Sequence, residues 1–379
     1  MGAIEAGIAT FSSWLYSYIL IILLLGAGIY FAIRTKFVQL RLFGESIRVV
    51  GEKPTGNNGV SSFQALMVST ASRVGTGNII GVSTAICVGG YGAVFWMWAI
   101  AIIGSASAFV ESTLAQIYKR KNPEGGSYGG PSYYIEDALK SRGLAVVFAC
   151  CLIFTYAIGF NMLGSYNLQS TFAAYAFYNA NTTPWIVGGV LALLVGYCLF
   201  GGGKRVLRTT GILVPIMGII YVIVACVVIA MNYHLVPTVL ARIFTEAFDL
   251  EAIFGAFAGS AVMQGIKRGL FSNEAGVGSA PNAAAVATVS HPVKQGLVQM
   301  LSVFIDTVVI CSATALMCLC TGLEPNADLA GAAYIQESLT MVFAGNFGPI
   351  FITVAMVLFA FTTLLGNSQL PEIYPLKHL

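Results

Sequence analysis

Two polar, glycine-rich stretches interrupt long apolar segments of this chain, and both carry groups able to bind small ions. In the first, Arg73-Val74-Gly75-Thr76-Gly77-Asn78 breaks the apolar run 62–90. Gly75 and Gly77 let the backbone turn and approach a ligand closely. A helix that restarts after Gly75 leaves the N–H groups of Thr76, Gly77 and Asn78 without intrahelical acceptors, at the positive end of a half-helix dipole. Such donors suit a carboxylate. The carbonyls freed just before the break, at Ala71 and Val74, are the hard oxygen donors that a sodium ion prefers. The second stretch, expected to unwind between Gln264 and Gly278, interrupts the run 252–289.

These breaks acquire meaning from the elements around them. The chain has 379 residues, of which 57% are hydrophobic and 9% charged, with a mean hydropathy of +0.81. A soluble domain carries about 25% charged residues, so this is an integral membrane protein. About nine apolar runs could span the bilayer: 14–33, 62–90, 93–118, 146–178, 185–200, 211–231, 252–280, 293–322 and 340–366. Lys and Arg fall in alternate loops, with Arg242 the lone cation of one side, which predicts an N-terminus outside. The first run lacks preceding basic residues and a cleavage site, so it reads as a retained span. Unpaired peptide groups in hydrocarbon cost several kcal/mol each, so broken helices persist only where they line a cavity or site. Two of them in corresponding positions of two halves point to a secondary transporter.

Other chemistry is poorly represented. A net charge of +3 gives no footprint for nucleic acid. The eight cysteines lie in apolar runs, Cys318-x-Cys320 has no metal or redox spacing, and the three histidines are scattered, so no metal or haem centre is indicated. Gly75-x-Gly77 is followed by Ile80 and lacks a strand-helix setting for a dinucleotide. No nucleophile, base or metal constellation suggests an enzyme. Asn181 heads an Asn-x-Thr match that matters only in a eukaryotic secretory pathway. Residues 124–131 read as an ordered loop or short interfacial helix, and 249–253 as the start of another. Arg73, Lys267 and Arg268 fall inside spans, as do Glu111, Glu274 and Asp306. Three cations against three anions suggest ion pairing between helices, or contact with a substrate or its pathway. Asp306 and Glu111 are candidate proton or cation sites for which the sequence offers no partner.

The run Gly89-Gly90-Tyr91-Gly92-Ala93-Val94-Phe95-Trp96-Met97-Trp98, followed by Gly104, resembles the signature of the alanine or glycine:cation symporter family, the sodium:alanine symporters. The first break, the run Lys267-Arg268-Gly269-Leu270-Phe271-Ser272-Asn273-Glu274-Ala275-Gly276, and Phe304-Ile305-Asp306-Thr307 accompany it in family order. The resemblance extends from the first span to about Asn367. It implies an all-α polytopic membrane protein with the inverted-repeat fold of the bacterial leucine transporter (LeuT-like, APC superfamily) and one extra N-terminal helix. Substrate would bind near the bilayer midplane. Thr76 and Gly77, with Asn78, would take the carboxylate of an amino acid. On the second break Phe271, Ser272 and Asn273 would face the substrate, and Glu274 would order the unwound backbone by accepting N–H bonds. The Phe359 carbonyl and the hydroxyls of Thr362 and Thr363 would join Ala71 and Val74 around sodium; alone, a Thr-Thr pair would bond back to its own helix.

Two departures from the family pattern stand out. Gly164 occupies the place where many members carry a glutamine that limits the pocket, so a larger neutral amino acid such as glutamine is expected to fit beside alanine or glycine. After Asn367 the family continues with two further spans, whereas residues 368–379 form an atypical tail in which Pro371 and Pro375 are expected to end any helix. The expected organisation is one transporter domain, 1–367, lacking the last two core helices. The function so implied is sodium-coupled symport of a small neutral amino acid across the plasma membrane. The competing readings are a truncated, non-transporting remnant of the family and an ion channel. The partners implied are the amino acid, sodium and the lipid bilayer, with no cofactor. The sequence leaves the oligomeric state open.

Overall fold

A computed structural model of the chain describes residues 2–54, 59–121, 126–249 and 260–372. Most of it is helical. We label the main helices α1 (Glu5–Arg34), α2 (Ser62–Arg73), α3 (Gly77–Gly89), α4 (Gly92–Ile117), α5 (Arg142–Ala174), α6 (Thr183–Leu199), α7 (Gly202–Met231), α8 (Val236–Glu246), α9 (Ala261–Asn273), α10 (Ser279–Val286), α11 (Pro292–Leu319), α12 (Ala332–Val342) and α13 (Phe347–Glu372). Among the described residues six stretches are long and apolar enough to cross a membrane: α1, α4, α5, α7, α11 and Phe347–Ser368 of α13. Helices α3 and α6 are shorter apolar segments. The only strands among the described residues, Arg120–Lys121 and Ser127–Tyr128, pair antiparallel beside the helix Pro131–Leu139. The expected feature at 249–253 lies outside the described residues from 250 onward.

Both broken helices begin with a serine cap. Ser61 accepts the Gln64 N–H at 3.1 Å while Gln64 Oε1 accepts the Ser61 N–H at 3.0 Å, and Ser260 Oγ accepts the Met263 N–H at 3.3 Å. The first helix ends at Arg73, where Val74 leaves helical geometry with ψ 82°, and resumes at Gly77. The second remains helical from Ala261 through Asn273 and unwinds over 274–278, where Glu274, Gly276 and Gly278 have φ of 50°, 84° and 97°. The break is therefore narrower than the glycines of the sequence suggest. Gly265 and Gly269 serve packing instead: a Cβ at Gly265 would overlap the Ala93 carbonyl, and one at Gly269 would lie 3.0 Å from the Ile100 side chain of α4.

Helix α4 forms the spine against which α1, α9, α10 and α11 pack. At its crossing with α11, a Cβ on Gly296 would overlap the Thr113 hydroxyl. The ends of α2 and α10 distal to the breaks are joined by backbone. Val60 and Ala287 form a parallel bridge, and Val60 O accepts the Thr288 N–H at 3.0 Å. Gln116 Nε2 and Lys119 Nζ each donate to Ala287 O at 2.9 Å, fastening the joint to α4. At the other end of the chain, α13 runs through Pro371 to Glu372 rather than stopping before the proline. A proline this close to a helix end forgoes one hydrogen bond without interrupting turns beyond it.

The closeness of these crossings is measurable. Gly265→Val should cost about 1–3 kcal/mol by overpacking, lowering the midpoint of thermal unfolding in detergent. Gly143→Ala, at a position with no neighbour within 4 Å of an added Cβ, should leave the midpoint within about a degree, as surface changes do. Equal midpoints for the two variants would contradict the packing described.

Candidate functional site

The two breaks and α5 and α13 line a partly open cavity of about 40 Å³, measured as room for the centres of water-sized molecules. One water needs about 10–15 Å³ by this measure, so the space suits a small solute. Thr76, Gly77, Asn78, Gly164, Phe271 and Ser272 line it, together with Ser72, Phe160 and Thr363. Asn273 does not. It is fully buried, and its Oδ1 accepts the Ala275 N–H at 2.9 Å, so it shapes the turn of the second break.

At the first break Thr76 and Gly77 stand at the head of the restarted helix, where amides have no acceptor in their own helix. Asn78 differs from expectation. Its backbone N–H donates to Gly75 O at 3.1 Å and its Oδ1 accepts the Gly75 N–H at 2.9 Å, so it braces the break rather than offering a free donor. Its Nδ2 donates to Asp306 Oδ1 at 2.6 Å. Ser272, on the last turn of α9, donates to Asp306 Oδ2 at 2.7 Å, and Thr307 donates to the same oxygen at 2.8 Å. Asp306 is fully buried on α11 and thus joins the two breaks. The sequence marked Asp306 as polar and intramembrane but offered no partner, because its partners are 228 and 34 residues away.

The second break corrects another expectation. Glu274 does not collect backbone N–H groups; its Oε2 accepts the Tyr156 hydroxyl at 2.9 Å and the Ser279 hydroxyl at 2.5 Å, tying α5 to α10. Glu111 of α4 supplies the backbone acceptor, taking the Gly276 N–H at 3.3 Å. Nor do the intramembrane charges pair by contact. Among the described residues no carboxylate lies within 4.0 Å of Arg73, Lys267 or Arg268. Arg73 donates Nη1 to Gln299 O at 3.3 Å and acts electrostatically on Glu111, Glu274 and Asp306 from a distance.

The residues expected around sodium divide. Thr363 Oγ1 is buried without a hydrogen-bond partner, and a Cβ on Gly75 would lie 2.5 Å from it. An orphaned hydroxyl against the freed backbone of the break fits a hard cation. Thr362 instead bonds back to Leu358 O at 2.9 Å and Phe359 O at 3.2 Å and faces Met217 of α7. Ala71, Val74 and Phe359 are buried where α2 meets α13. There a Cβ on Gly366 would approach the Ser72 N to 2.7 Å. Ser72 Oγ donates to Asn367 Oδ1 at 2.7 Å, and Asn367 Nδ2 reaches Asn161 Oδ1 at 3.1 Å. These three polar residues escaped the sequence reading, as did Phe160, whose ring meets Phe271 at 5.2 Å and Tyr156 at 4.9 Å to complete an aromatic wall. Asn167, one turn beyond Gly164, donates to Thr76 Oγ1 at 3.1 Å.

The Sodium:alanine symporter family matches residues 1–374. Amino-acid carrier protein AlsT of Bacillus subtilis is 46% identical over 94% of this chain and 75% of its own length. The protein named "Probable sodium/glutamine symporter GlnT", from the same organism, is 46% identical over 93% of this chain and 73% of its own. Sodium/alanine symporter AgcS of Methanococcus maripaludis is 37% identical over 96% and 81%. Among solved structures, MhsT in complex with L-phenylalanine superposes with a TM-score of 0.56 at 15% identity, covering 84% of this chain and 74% of that one, a likeness of fold. With a match over nearly its whole length and relatives covered for about three quarters of theirs, this multi-pass membrane protein belongs to the sodium:alanine symporter family.

Proposed function

We propose that this chain carries a small neutral amino acid together with sodium across the plasma membrane by alternating access. One observation carries the reading: Thr76 and Gly77, at the head of the restarted helix, and Thr363, whose hydroxyl is orphaned, line one small cavity between two broken helices. The amides take the substrate carboxylate. Carbonyl oxygens at the end of α9 receive the α-ammonium, and Phe271 with Phe160 forms the wall for the side chain. Thr363 and the carbonyls of Ala71, Val74 and Phe359 hold sodium, and Thr362 joins them by releasing its bond to Leu358. Residues 1–367 act as one domain of about nine spans with the N-terminus outside, arranged as inverted repeats with one extra helix in front. Sodium orders the first break and favours the substrate-receptive state, and the amino acid then favours closure. Coupling follows because each ligand binds one state better than the other.

The family name and the names of AlsT, GlnT and AgcS support amino acid and sodium as the cargo. Gly164 bears on which amino acid. It lines the cavity, and a Cβ there would stand 3.1 Å from Leu364 Cδ1, so a longer side chain at this position would fill the space. We therefore include glutamine among the substrates.

In sealed proteoliposomes an inward sodium gradient should drive accumulation of labelled alanine; an equal rate without sodium would refute the coupling. Thr363→Ala should raise the sodium concentration for half-maximal uptake by about tenfold, the effect of losing roughly 1.4 kcal/mol of ligation. Unlabelled glutamine should compete with alanine in the native chain, and Gly164→Gln should abolish that competition while alanine still binds; no competition in the native chain would sink the wider substrate range. Asp306→Ala strands the donors of Asn78 and Ser272, and should lower stability by about 1–3 kcal/mol per stranded group in a thermal melt. Asp306→Asn, which keeps an acceptor oxygen, should recover part of the loss.

A further inference from the structure

Arg268 lies on α9 one turn before Ser272, and its guanidinium is laid across the first broken helix. On one side its central carbon is 5.0 Å from the centroid of Phe271, a wall of the cavity. On the other it fills the room left by two missing side chains. A Cβ on Gly81 would overlap the guanidinium, and a Cβ on Gly77 would come within 3.4 Å of Nη1. No larger residue at 81 is compatible with this placement.

Among the described residues the charge so seated has no anionic contact partner: no carboxylate lies within 4.0 Å of it, and its Nε is buried without an acceptor. Asp306 is within electrostatic reach, but its two oxygens are already bonded to Asn78, Ser272 and Thr307. A half-buried cation with no contact anion leaves its charge uncompensated, and a ligand that supplies the missing anion is bound the more strongly for it. Nη1 sits closest to Gly81, and one turn before it, within 3.4 Å of where a Cβ would stand, is Gly77, one of the two residues whose amides receive the substrate carboxylate in the function proposed above.

Resting on that function, we propose that Arg268 is a specificity-determining residue: its guanidinium, seated on Gly77 and Gly81, selects ligands with a carboxylate against otherwise identical ligands without one. The amides of Thr76 and Gly77 alone discriminate less, because a neutral carboxamide oxygen also accepts from an N–H. A full positive charge beside the same point separates the two.

The test uses the full chain, purified for ligand-induced thermal stabilisation and reconstituted for sodium-driven alanine uptake, with L-alanine and L-alaninamide as the paired ligands. The native chain should prefer alanine. Arg268→Gln should weaken alanine by roughly tenfold to a hundredfold, the effect of withdrawing a nearby charge from a poorly screened site. Alaninamide should change by less than about threefold, so that the preference collapses, and the half-saturating alanine concentration in uptake should rise more than the maximal rate falls. Arg268→Lys should keep most of the preference. Gly81→Ala, which pushes the guanidinium off its seat without touching its charge, should lose it. Equal weakening of both ligands in Arg268→Gln, or an unaltered preference in Gly81→Ala, would overturn the proposal. If Arg268→Gln does not fold, the Lys and Gly81→Ala variants decide it on the same ratio. A native chain that binds alanine but does not accumulate it with sodium would refute the transport reading while the binding ratio still judges Arg268. A native chain that fails to prefer alanine over alaninamide overturns the inference directly.

Discussion

Peptide groups released inside a low-dielectric bundle must find partners, and in this protein the Asp306 carboxylate organises them. Through Asn78 it fixes both polar groups of Gly75, and through Ser272 it fixes the last turn of α9. Two interruptions on different helices are thereby referred to one buried point on α11. The geometry of the cavity follows from that single constraint. The Thr76 and Gly77 amides are left over because they head the restarted helix, and Ser272 donates to Asp306 from the last turn of α9.

The second break is held by a different division of labour. Glu274 binds hydroxyls from α5 and α10, while Glu111 reaches from α4 to the backbone of Gly276. Each carboxylate accepts from neutral donors, and neither lies within 4.0 Å of Arg73. Neutral hydrogen bonds hold geometry without committing cation and anion to each other, so the charges of the centre stay responsive to an arriving ion or zwitterion.

Much of this was legible in the sequence, and the part that was not has a common cause. The membrane class followed from composition, and the position of the first break followed from Gly75 and Gly77 because glycine, threonine and asparagine are out of place in a spanning helix. The second break was drawn too wide because Gly265 and Gly269 look like breakers in one dimension, whereas in three they let α9 press against α4. Glu274 is expected to hold the backbone of its own turn because it is near in sequence, but that part falls to Glu111 of α4, which the sequence offers only as a candidate proton or cation site, while Glu274 binds the hydroxyls of Tyr156 and Ser279. Asp306, Asn367, Asn161 and Phe160 matter through partners far along the chain, and a single sequence carries no record of such pairings. The resemblance to the symporters placed Thr362 and Thr363 together, but only geometry separated them, one hydroxyl bonded to its own helix and the other left bare beside Gly75.

The backbone joint between Val60 and Ala287 has a mechanical meaning. It welds the ends of α2 and α10 farthest from the cavity, and Gln116 and Lys119 rivet the weld to the spine helix α4. Two half-helices that are hinged near the cavity and welded at their far ends form a closed frame, not a pair of free levers. Separating these two ends requires that the joint open and its carbonyls pass to other donors; otherwise α2 and α10 move there as one piece. If the joint opens, hydration of those peptide groups enters the free energy of the separation, which couples the local solvent to the relative position of the two breaks.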